Sequence, residues 1–299
     1  MWDGDDCHAF YLCASRGLGD PERRHRNTNI GHAVSNDLQN WTVLADAISP
    51  SETPAFDSWT TWTGSTLRGD DGVWRMFYTG TSRESEGRIQ QVGVAKSFDL
   101  ITWEKDTEFS LSADARWYEK LGDSDWVDEA WRDPWVYKSN NDGLWHMLLT
   151  ARAKEGAINQ RGVIGHAISA DLERWEVTEP LTKPGQGFGQ LEVIQFVEVN
   201  EVPLLIFCCG ANELGEDKRA QFGEITATFS APVTPGEPWG VTNARPISPF
   251  EIYAGRVVQR PTGEWVFLGF VNEVDGKFVG EICNPITVSA SMEKGLFRV

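Results

Sequence analysis

Three stretches decide the fold: "GHAVSNDLQNW" at 31–41, "GVAKSFDLITW" at 93–103 and "GHAISADLERW" at 165–175. All three fit Gly-x-Ala-x-Ser-x-Asp-Leu-x-x-Trp, with Trp41, Trp103 and Trp175 spaced 62 and then 72 residues apart. Agreement at six fixed positions in three copies marks an internal repeat. A period above that of solenoids suits a four-stranded blade with long loops. Each copy follows a hairpin: "DGDDCHAFYLCA" (3–14), "RGDDGVWRMFYTGT" (68–81) and "NNDGLWHMLLTAR" (140–152). After the "GHAxS" strand, Asp-Leu makes a tight turn into a fourth strand. Two weaker copies follow, at "LEVIQFVEVNEVPLLIFCCG" with "AQFGEITATF", and at "IYAGRVVQRPTGEWVFLGFVN" with "FVGEICNPITVSA".

Five such units predict an all-β, five-bladed β-propeller with four antiparallel strands per blade, as one domain over 1–299. A pair of β-sandwiches is the alternative, but it leaves the repeat unexplained. Helical periodicity is nearly absent, and candidate helices are short, as at "SMEKG" (291–295).

The chain has 299 residues and 40% hydrophobic content, enough for a real core. Fourteen Trp point to a tryptophan-based repeat or a sugar-binding surface, with simple core packing accounting for most of them. A net charge of −17 repels phosphate backbones and anionic lipid, which argues against nucleic-acid and membrane roles. The five Cys (7, 13, 208, 209, 283) show no CxxC spacing, against a disulfide framework or a zinc site. "MWDGDDCHAF" is no signal peptide, and the chain reads as cytoplasmic.

In a propeller the first strand of each blade lines the channel. Counting back nine residues from each hairpin turn places Asp133 (from Asp142) and Glu192 (from Glu201) at equivalent inner positions. The same count gives Trp62 from Asp71 and Tyr253 from Thr262. Two carboxylates beside aromatic platforms are what glycoside hydrolysis needs: one acid protonates the leaving oxygen, the other attacks or activates water. Arg132 can hold a carboxylate or a sugar hydroxyl.

On these residues the chain resembles the β-fructosidase superfamily of glycoside hydrolases, families 32, 43, 62 and 68, and is most similar to family 32. "WRDPWV" (131–136) resembles the Arg-Asp-Pro motif, "FDSWTTWTGS" (56–65) the Trp-Ser-Gly-Ser region, and "GQLEVIQ" (189–195) the Glu-Cys acid motif, with Val193 in place of Cys. The "GHAxSxDLxxW" strand resembles the family's too. The resemblance implies Glu192 as general acid/base, Asp133 as transition-state stabiliser, and Arg132 beside it. It places Trp62 and Ser65 in the sugar pocket, together with Asp57 and Tyr253 as substrate-binding residues. Trp59 and Arg256 are weaker candidates. His32 and His166 read as packing residues.

The implied substrate is a small oligosaccharide or furanoside, β-fructofuranoside first, with arabinofuranosides and galactofuranosides open. No cofactor is implied, and a structural cation in the channel is left open. The family's nucleophile is an Asp on the first strand of blade one. Here that count runs past Met1, so the first blade lacks its inner strand. Asp3, Asp5 and Asp6 belong to the turn. Either the strand lies upstream of this sequence, or the nucleophile is lost and the propeller binds sugar without cleaving it, or another segment such as "GLFRV" (295–299) fills the gap. The segment 115–131 reads either as a cap of the channel mouth or as a surface loop, and 17–29 could likewise supply a rim.

Overall fold

The computed structural model describes residues 1–234, 237–247 and 252–299. Among these, the strands pair into five antiparallel sheets in the meander order of propeller blades. The fold is the five-bladed β-propeller expected from the repeat. No helix is long and apolar enough to cross a membrane among the described residues.

Blade one is Trp2–Asp3, Asp6–Cys13, Asn29–Ser35 and Thr42–Val43. Its first strand has two residues, and Asp3 pairs with Asp6 across the turn. Blade two is Thr60–Arg68, Trp74–Thr81, Gln90–Ser97 and Glu104–Lys105. Blade three is Trp131–Lys138, Trp145–Arg152, Gly162–Ser169 and Glu176–Thr178. Blade four is Glu192–Val199, Val202–Cys209, Ala227–Pro232 and Arg245–Pro246. Blade five is Ile252–Gln259, Trp265–Val274, Ile286–Ser291 and Gly295–Arg298, with Lys277–Ile282 added on the long second strand.

Two expectations are corrected here. "GLFRV" supplies the outer strand of blade five, paired to Ile286–Ser291, and does not stand in for the first strand of blade one. "SMEKG" is the turn leading into that strand, while the one α-helix among the described residues is Glu216–Phe222.

The repeat has a local cause. In the first copy the Ser35 hydroxyl accepts the N–H of Asp37 and Leu38, and the Asp37 carboxylate accepts those of Gln39 and Asn40. Those donors hold the Asp37 carboxyl well below the usual range. Leu38 takes a left-handed φ of 64° and is buried, and the Trp41 indole closes the turn by donating to the Leu38 carbonyl. Leu100 with Trp103, and Leu172 with Trp175, repeat this geometry. The motif's Gly also has a reason in the first two copies. Gly31 and Gly93 pair across the sheet with Tyr11 and Tyr78, whose rings lie where a Cβ would go.

The contacts group into two compact units, Met1–Leu149 with Ala167–Thr178, and Thr150–His166 with Glu179–Val299. In the first, Ile30, Ile48, Met76, Tyr78 and Ala95 form a core. His32 is buried between Phe10 and His8, and burial lowers its pKa to about 4, so it packs as a neutral ring. The buried Arg75 guanidinium reaches Asp71 (2.8 Å) and Glu173 (2.7 Å), joining blades two and three. In the second unit, Val199, Leu204, Ile206, Ile252, Val257, Phe267, Val288 and Leu296 pack between blades four and five.

First strands have an edge turned to the preceding blade, and side chains satisfy it. The Ser65 hydroxyl of blade two accepts the Val136 N–H of blade three. The Gln195 amide of blade four both accepts the Val257 N–H and donates to the Val257 carbonyl of blade five, each at 2.8 Å. Gln195→Leu would leave both groups of Val257 buried and unpaired, each costing about 1–3 kcal/mol. The expected loss of stability is therefore roughly 2–6 kcal/mol, read by urea unfolding. A loss below about 0.5 kcal/mol would refute the bridge.

Candidate functional site

Each bulged first strand turns its early side chains out of the flat ladder. In blade two the register shifts between Trp62 and Gly64, in blade four between Glu192 and Gln195, and in blade five between Tyr253 and Arg256. Trp62, Glu192 and Tyr253 therefore share one register position. Asp133 is displaced from it by one. Its φ is 58°, and the residues with this left-handed backbone in blades four and five are Val193 and Ala254. The edge bonds agree: Ser65 and Gln195 lie three after Trp62 and Glu192, and bind Val136 and Val257, three after Asp133 and Ala254.

The nine-residue count fails in blade three because its hairpin connection has six residues, against five in blades two and five. Arg132 occupies the position equivalent to Glu192, and Asp133 follows it.

In the first unit, Arg132 and Asp133 are buried, with Arg132 Nε 3.6 Å from Asp133 Oδ2. The Asp133 N–H donates to the Thr79 hydroxyl, which itself donates to the Thr63 carbonyl. Asp is among the few residues that accept a left-handed φ with modest strain, and such strain clusters at functional sites. Arg132 Nη1 donates to Gln90 Oε1 (3.0 Å), and Gln90 Nε2 donates to Asp128 Oδ2 (2.9 Å). Trp62 is half-buried, its indole donating to the His25 carbonyl, and the Arg26 guanidinium lies over Trp59 at 4.9 Å.

Two of the expected substrate contacts have partners within the fold. Asp57 is 1% exposed, bonded by Lys105 Nζ (2.5 Å) and the Tyr78 hydroxyl (2.8 Å). Ser65 is buried and occupied with the edge of blade three. Asp128 and Gln90 were not anticipated. Asp128 lies in the 115–131 segment, whose "DxxxR" spacing to Arg132 was the available signal.

In the second unit, Glu192 opens the first strand of blade four opposite Cys208. The Tyr253 hydroxyl donates to Glu192 Oε2. Desolvation and the Glu192 charge push the phenol well above its usual range, so Tyr253 keeps its proton and acts as donor. Burial pushes the Cys208 thiol up to about 11, so it is no nucleophile at neutral pH. Arg256 Nη1 donates to the carbonyls of Val193 (2.6 Å) and Ile194 (2.8 Å), clamping the bulge behind Glu192. His166 lies in the third strand of blade three.

Comparison with known proteins gives three findings. Residues 3–281 match the family described as Glycosyl hydrolases family 32 N-terminal domain. A β-fructofuranosidase, insoluble isoenzyme 5, of Oryza sativa subsp. japonica is 35% identical over 153 residues, covering 49% of this chain and 24% of that protein. A cell-wall β-fructofuranosidase of Pisum sativum is 27% identical over 62% of this chain and 32% of its own length. The chain thus matches about a quarter to a third of these relatives. Among solved structures, inulosucrase from Halalkalicoccus jeotgali bound to kestose superposes with a TM-score of 0.74 at 22% identity, over 100% of this chain and 85% of that one. Sucrose-6-phosphate hydrolase from Lactobacillus gasseri gives 0.72 at 20%, over 96% and 57%.

Proposed function

The chain belongs to glycoside hydrolase family 32, and from that we propose that it acts on a β-fructofuranoside, with Glu192 as general acid/base and Asp133 as transition-state stabiliser. The observation that carries this is the held carboxyl of Glu192: Tyr253 fixes one oxygen and Arg256 fixes the bulge beneath it. A general acid needs such a fixed direction toward the leaving oxygen. Glu192 would donate its proton to the glycosidic oxygen as the bond breaks. It would then take a proton from the attacking water. Asp133, with Arg132 alongside, would bind ring hydroxyls, and those bonds strengthen as the sugar gains oxocarbenium character. Tyr253 supports Glu192, and Trp62 offers an aromatic face. Relatives that share the family are named fructofuranosidases, which supports fructose over arabinose or galactose.

The third carboxylate of the mechanism belongs on the first strand of blade one, of which this sequence carries Trp2–Asp3. A second reading is a propeller that binds furanosides without cleaving them. One panel separates the two: aryl β-fructofuranoside, α-arabinofuranoside and β-galactofuranoside, offered to this chain and to a longer one bearing residues upstream of Met1. Turnover of the fructofuranoside above the others supports the hydrolase. Calorimetric binding by both chains with turnover by neither supports the binder. Absence of binding and turnover together sinks both.

A further inference from the structure

The segment 115–131 approaches the site as a built element. Lys120 Nζ binds the Glu129 carboxylate and the Ala113 carbonyl, and Leu121 N–H donates to Glu129 Oε2. The Glu129 N–H in turn donates to the Arg88 carbonyl at 2.8 Å, and a parallel bridge pairs Ile89 with Glu129. Those bonds fix Asp128 against Gln90 from the backbone up.

The Asp128 carboxylate takes two donors: the Trp126 indole at Oδ1 (3.1 Å) and Gln90 Nε2 at Oδ2 (2.9 Å). Gln90 Oε1 receives Arg132 Nη1 (3.0 Å) and the Trp131 N–H (3.4 Å). An amide between a carboxylate and a guanidinium has one good orientation, its NH₂ toward the anion and its oxygen toward the cation. Asp128 therefore locks Gln90, and Gln90 locks Arg132 3.6 Å from the Asp133 carboxylate. Arg132 Nη1 also lies 4.0 Å from Asp128 Oδ2, adding a charge attraction along the same line. The Asp128 side chain is 23% exposed.

We propose that Asp128 is a positioning residue, which acts through Gln90 to hold the Arg132 guanidinium beside Asp133. The inference deepens the hydrolase reading and rests on it for its kinetic consequence, while its structural consequence stands alone. Losing the lock loosens the hold on the Arg132 guanidinium, which blurs the geometry of Asp133 where small displacements are costly.

The test compares wild type with Asp128→Asn, Asp128→Glu and Gln90→Met, by two readouts. The first is the ¹⁵N spectrum of the Arg132 side chain, assigned by its loss in Arg132→Lys. Hindered rotation about Nε–Cζ should give resolved Nη signals in wild type, merged ones in Asp128→Asn and Gln90→Met, and recovery in Asp128→Glu. The second is hydrolysis of aryl β-fructofuranoside. Asp128→Asn should lower kcat roughly tenfold with KM changed less than about twofold, at an unchanged melting temperature, and Asp128→Glu should restore most of it. Resolved Arg132 signals in both disrupting variants would overturn the proposal, whatever the kinetics. If wild type turns over no furanoside, the hydrolase reading fails by itself, and the Arg132 spectra still decide this one.

Discussion

Glu192→Gln is expected to lower kcat for an alkyl β-fructofuranoside by about 10³-fold, with KM nearly unchanged. The amide keeps the size of the acid and an oxygen to accept the Tyr253 hydroxyl, so the bulged strand should fold as before. What disappears is the transferable proton. The loss should depend on the leaving group. A nitrophenolate departs without protonation, so an aryl fructofuranoside should lose less in its first step than sucrose or an alkyl glycoside. A second check is the pH profile of kcat/KM, whose limb from the acid should vanish in the variant. If alkyl fructofuranosides are cleaved by Glu192→Gln at the wild-type rate, Glu192 is not the acid.

The second large effect concerns Asp133, where conformation and charge can be separated. Its left-handed φ of 58° suits Asp and Asn and strains most other residues. Asp133→Asn should fold normally, with stability changed by less than about 1 kcal/mol, yet lose roughly 10²–10³ in kcat/KM with the stabilising charge. Asp133→Val, β-branched at a positive φ, should add a stability loss of about 1–3 kcal/mol. Kinetics and thermal unfolding on the same samples distinguish the two. Activity retained by Asp133→Asn would remove Asp133 from the transition state and leave its left-handed backbone as its only role.

The string Arg132-Asp133-Pro134 and the Glu192 carboxylate could be singled out because each stands in a compact string at a recognisable strand position. Asp57 and Ser65 were legible in the same way as members of a string, but their partners were not. They stand in a motif-like string, but Asp57 is committed to Lys105, 48 residues away, and Ser65 to Val136, 71 residues away. Nothing within the string records such partners. Asp128 was not singled out because its partner Gln90 lies 38 residues earlier in the chain.

The repeat was decided by the sequence alone. Its Ser, Asp, Leu and Trp bond one another within seven residues, and such local hydrogen bonds need no other part of the molecule to form. From that turn, the blade count and the all-β architecture follow. The register of the first strands was decided only by the tertiary structure. Bulges at Trp62, Glu192 and Tyr253, and the left-handed backbone at Asp133, arise where one strand must match its partner and the edge of the next blade together. That matching sums pairings far apart in sequence, and a shift of one residue turns a side chain to the opposite face.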